Sequence, residues 1–176
     1  MVRRLPVVQE STSEDAVAAA RPRWLWTALT AVVALLLFLP LAALATPLGV
    51  RIATHLVGVS PPDVTDVADG TSTLASRDAA LLAVAVAVPP LVAFAGACLG
   101  AGAIVGRFGG RSGAREASLA AAVAAATLAS FSFFARGAGS ITVSLGAFVA
   151  LLVAGPPSAA FGALWAQKKR PAASLR

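Results

Sequence analysis

Four long stretches of this chain carry no charged side chain. They run between Arg23 and Arg51 (27 residues), Asp78 and Arg107 (28), Glu116 and Arg136 (19), and Arg136 and Lys168 (31). About 20 apolar residues in a row cross the hydrocarbon of a bilayer, and each stretch reaches that length or falls one short. Together they occupy 105 of the 176 residues. Charged residues make up 12% of the chain, against about 25% in an ordinary soluble domain, which excludes a water-soluble fold. A hydrophobic content of 58% excludes a disordered chain, and the lone Cys98 excludes a disulfide framework.

The stretches give four spans, at about 24–46, 79–105, 117–135 and 140–166. The bilayer interior offers the backbone no water, so each span must close its own hydrogen bonds as a helix. The expected fold is all-α: a polytopic integral membrane protein whose single four-helix transmembrane bundle covers 21–167. A flexible tail at 1–20 precedes it, a basic tail at 168–176 follows, and 51–78 forms an outer loop.

The charges sort by side. The N-terminal tail, the segment after span two and the C-terminal tail hold 11 cations, while the alternate side holds Arg51, Arg77 and Arg136. The positive-inside rule therefore places both termini in the cytoplasm, in a multi-pass protein of the cell (cytoplasmic or inner) membrane. Trp24, Trp26 and Trp165 fall at the basic ends of their spans, where an indole sits well at the headgroup level. Together with Arg107, Arg111, Arg115, Lys168, Lys169 and Arg170 they are the expected topology and interface anchors. The net charge of +6 thus reports orientation and calls for no nucleic-acid partner; the lipid bilayer is the partner the chain requires. A cleaved first span is the rival reading, since Ala43-Leu44-Ala45 has the form of a signal-peptidase site. The 22 uncharged residues up to Ala45 exceed the ~7–15 of a signal core and favour a retained helix.

Local signals refine the spans. In the outer loop, Ser60-Pro61-Pro62-Asp63 has the form of a helix start and Asp69-Gly70 of a stop, so a short surface helix is expected there. A further start falls at Ser76, with Asp78 in the opening turn of span two. Pro40, Pro89, Pro90, Pro156 and Pro157 lie inside spans and mark helix kinks, each removing one backbone hydrogen bond. Small residues mark close helix contact: Gly96 with Gly100, Gly102 with Gly106, and Gly146, Ala150, Ala154, Ser158 and Gly162 at every fourth place. In span three, Leu119, Val123, Phe131 and Phe134 share one side, opposite Ser118, Ala121, Ala125, Ala129 and Ser132. The large side is expected to face lipid.

The spans contain no Asp, Glu, Lys, Arg or His, the groups that proton relays and ion-coupled carriers use at depth. Span hydroxyls such as Thr127 and Ser130 commonly bond to the carbonyl one turn back. Cys98 reads as a buried thiol without reactivity. His55 with Asp63, Asp66 and Asp69 falls short of zinc or calcium ligand spacing, and no cofactor is implied.

Gly102 to Arg111 reads G-A-I-V-G-R-F-G-G-R and resembles the cytoplasmic loop between helices two and three of the major facilitator superfamily, G-x-x-x-D-R-x-G-R-R. Gly106 stands in place of that motif's acid, and four spans replace the family's roughly twelve. A basic inner loop explains the same residues through the positive-inside rule. The expected function is that of a small non-enzymatic membrane protein, a structural or accessory subunit that packs against itself or other membrane subunits. The alternative is a small carrier or pore for neutral or hydrophobic solutes, flexing at its prolines.

Overall fold

The computed structural model describes residues 23–58, 76–108, 113–136 and 141–169. Among them the chain forms four helices: α1 (Arg23–Val57), α2 (Ser76–Phe108), α3 (Ala114–Arg136) and α4 (Ile141–Lys168). All four are long and apolar enough to cross a membrane. The surface helix expected over 60–70, both tails beyond these bounds, and Arg111 and Arg170 lie outside the described residues.

Two helix ends have a local cause. Gly58 takes a left-handed φ of 68°, and its N–H donates to the Thr54 carbonyl at 3.0 Å, which closes α1 as an αL cap. At α3 the Glu116 carboxylate reaches back to the Gly113 N–H at 2.8 Å, half of a capping box with glycine in the cap position.

The first helix departs from the sequence expectation. It does not stop at Thr46 but runs through Pro47 to Val57, so residues 51–57 belong to a helix instead of the outer loop. Pro47 removes only the bond to the Ala43 carbonyl, and packing holds the continuation in place. Ala53 is buried against Leu82 and Ala85 of α2, with Val50 and Val86 beside them. At about 1.5 Å per residue the 35 residues of α1 span about 52 Å, against about 34 Å for the 23 of α3.

Around the bundle the order is α1, α2, α4, α3, because α2 packs on α1 and α4 while α3 packs on α4 and α1. Gly102 and Gly106 of α2 meet Ala159 and Ala163 of α4, so these two helices run parallel. Gly49 beside Val86 and Leu37 beside Gly100 make α1 and α2 antiparallel. The main core is built of Ala34, Ala101, Ala121, Ala125, Ala159 and Ala163 around Phe94 and Cys98. Phe94 is fully buried and meets Phe38 edge-on at 5.5 Å. The large aliphatic and aromatic side chains point outward instead, among them Leu36, Leu44, Val92, Phe131, Phe134 and Val153. Small inside and large outside is the arrangement of a helix bundle whose surroundings are apolar.

Candidate functional site

Among the described glycines, the closest approach to a neighbouring backbone is at the seam between α2 and α4. A side-chain carbon added at Gly102 or Gly106 would strike the Ala159 or Ala163 carbonyl, and one at Gly162 would strike that of Leu99. Only glycine permits the backbones to come this near, which places Cα hydrogens against carbonyl oxygens and adds weak hydrogen bonding to the packing. Gly155, absent from the sequence-derived set, belongs here too. A carbon added there would lie 2.6 Å from Cε1 of Phe94 and 3.5 Å from Cys98 Sγ. Its signal is the spacing of Gly155, Ala159 and Gly162, which puts all three on one face of the helix.

The other small residues divide. Gly100 touches Leu37 of α1, with 3.4 Å between the added carbon and Leu37 Cδ1. A carbon added at Gly96 or Gly146 would meet no atom of another described helix within 4 Å. Of the every-fourth series on α4 only Gly162 lies on the buried face, which runs through Gly155, Ala159, Gly162, Ala163 and Ala166; Ala150, Ala154 and Ser158 are half-buried beside it. The physical reason is that α4 packs against α2 and α3 at once, which rotates its contact face away from any single stripe. On α3 the side-chain sizes separate as the sequence implies, with Ala121 and Ala125 buried and Leu119, Val123, Phe131 and Phe134 exposed.

All three proline-containing helices continue through Pro40, Pro47, Pro89-Pro90 and Pro156-Pro157. Pro89 and Pro90 deprive the Ala85 and Val86 carbonyls of their helical donors. Gly49 of α1 approaches both: an added carbon would lie 3.0 Å from the Val86 oxygen and 3.5 Å from that of Ala85. A glycine on the facing helix thus sits where the proline pair exposes backbone acceptors.

Thr30 is the one buried polar side chain among the described residues, and its hydroxyl donates to the Trp26 carbonyl in its own helix at 2.5 Å. Thr127 and Ser130 likewise donate one turn back, to Val123 and Ala126, each at 2.9 Å. Ser118 does more. Its hydroxyl is 2.9 Å from the Ala114 carbonyl and 3.3 Å from that of Pro156, so it can be shared between α3 and α4. Cys98 is buried, and His55 lies exposed on the last turn of α1. Among the described residues no three His, Cys, Asp or Glu side chains gather as a metal site would need.

The expected anchors collect at one end, here called the basic end. Arg107 closes α2, Arg115 opens α3, and Lys168 with Lys169 closes α4. Lys169 Nζ lies 3.8 Å from the centre of the Trp165 ring, a cation–π contact. Trp24 is 68% exposed, whereas Trp26 is half-buried. Between α1 and α3 at this end is an open groove of about 570 Å³, lined by Trp24, Thr27, Ala28, Arg115, Glu116, Leu119 and Val123. No protein-family model, curated protein or solved structure matches the chain.

Proposed function

We propose that this chain is a multi-pass protein of the cell membrane, with both termini in the cytoplasm, that works as a structural or accessory subunit through its helix faces. The observation that carries the reading is the division of the glycines. Gly49, Gly102, Gly106, Gly155 and Gly162 are used within the bundle, while Gly96 and Gly146 stand exposed among large outward side chains, with none of the other described helices against them. In lipid, apolar burial gives helices no net drive to associate, and close backbone approach at small residues is a main source of attraction. Exposed glycines within apolar helices therefore suit the docking of a further helix. Among the described residues the buried side chains are apolar apart from Thr30, which favours this reading over that of a carrier with a polar path.

The test is the assembly state of the full chain in lipid nanodiscs or mild detergent. The unmodified 17.5 kDa chain is expected in a complex of defined stoichiometry, with itself or with a co-purifying membrane subunit. Gly96→Leu or Gly146→Leu is expected to release it while leaving the helical content unchanged. A single chain at every concentration, without a stoichiometric partner, overturns the proposal.

A further inference from the structure

The groove at the basic end combines features that no other described part of the surface brings together. Its walls, Ala28 of α1 with Leu119 and Val123 of α3, are apolar and exposed, and its mouth holds Trp24 and the exposed Arg115. Eight residues of helix separate Arg115 from Val123, or about 12 Å along the axis. In a membrane that length reaches from the headgroup layer into the upper acyl chains.

We infer that this groove seats one anionic glycerophospholipid, with its phosphate at Arg115 beside Trp24 and an acyl chain along Ala28, Leu119 and Val123. The charge of the surroundings selects the headgroup. Arg107, Arg115, Lys168 and Lys169 share this end, and Glu116 is the one acid there among the described residues, its Oε2 accepting from the Gly113 N–H that starts α3. An arginine fork matches phosphate oxygens, and an indole suits the same depth of the bilayer. The apolar wall continues onto outward-facing Leu119 and Val123, so the groove opens sideways, where an acyl chain of the surrounding bilayer can enter without leaving lipid. This inference is independent of whether the chain associates with other subunits.

The test uses Trp24 as its reporter. A full chain carrying Trp26→Phe and Trp165→Phe is reconstituted in phosphatidylcholine vesicles containing an equal, low mole fraction of either phosphatidylglycerol or phosphatidylcholine brominated on the acyl chain. Quenching of Trp24 is expected to show the anionic lipid enriched about fivefold over the bulk composition, the factor that one cation contributes near an anionic headgroup. Arg115→Gln should abolish the enrichment, Val123→Phe should exclude both lipids, and Arg107→Gln should leave the enrichment in place. Equal quenching by the two lipids overturns the inference. So does an enrichment that survives Arg115→Gln, or one lost equally in Arg107→Gln, which would mean general surface attraction. Quenching that appears only after residues 1–20 are removed would make the N-terminal tail the occupant and overturn it too. If the double phenylalanine variant fails to fold, native mass spectrometry of the otherwise unmodified chain and of Arg115→Gln reads the same preference as a retained lipid adduct.

Discussion

At the scale of single residues the molecule depends on absent side chains. The seam of α2 and α4 has no room for a β-carbon at Gly102, Gly106 or Gly162, and the obstacles are backbone carbonyls that cannot rotate aside. Gly102→Leu is therefore expected to destabilise the bundle by about 3 kcal/mol or more, at or beyond the upper end of overpacking effects. Gly96→Leu, which enters open space, should stay within about 0.5 kcal/mol. Reversible unfolding in mixed micelles of a denaturing detergent checks the pair, and equal losses would contradict the packing described. Phe94 plays the opposite part. Among the described residues it is the largest fully buried side chain, and it fills the space that Gly155 leaves open, so one residue's bulk and the other's lack of it form a single contact.

At the scale of elements, hydroxyls and prolines set how helices join. Most described hydroxyls satisfy themselves one turn back and leave neighbouring helices untouched, whereas Ser118 also reaches the Pro156 carbonyl across the α3–α4 contact. Ser118→Ala should cost about 0.6 kcal/mol, the usual worth of an interhelical hydrogen bond in a bilayer. Ser130→Ala, losing only its bond to the Ala126 carbonyl, should change the same unfolding midpoint by less. A reversal of that order would remove Ser118 from the contact. The prolines behave less as breaks than their number suggests. α1 continues past Pro47 because Val50 and Ala53 gain partners on α2, and those contacts outweigh one missing backbone bond. The consequence is a pair of helices, α1 and α2, longer than α3 and α4, whose far halves pack in a separate cluster of Ala53, Leu82 and Ala85. A hydrocarbon layer of about 30 Å is shorter than α1, so in a bilayer tilt or projection would absorb the excess.

At the scale of the whole molecule, the charge partition makes the orientation testable. In a Cys98→Ser background, Gly58→Cys at the end of α1 and Gly113→Cys before α3 lie at opposite ends of the bundle. A membrane-impermeant maleimide added to intact cells is expected to label position 58 and leave position 113 unlabelled until the membrane is opened. The reverse pattern would invert the topology. Among the described residues the four long helices, their bounds to within a few residues except at the end of α1, and which end is basic were all legible in the sequence. The reason is physical: a charge-free run of bilayer length has one low-energy form, and that form needs no knowledge of its neighbours. The end of α1, expected at Thr46, lies at Val57 instead, since a bilayer-length run is visible in the sequence and the contacts of Val50 and Ala53 that carry the helix beyond it are not. The glycines show the same boundary. Nine small positions shared one signature, yet only the tertiary structure divided Gly102, Gly106 and Gly162, packed against backbone, from Gly96 and Gly146, left open. Helix formation follows from composition along the chain, whereas which face meets which neighbour depends on the order α1, α2, α4, α3 around the bundle. That order is set by the fit of backbones at the seam, a property of two helices together and of neither alone.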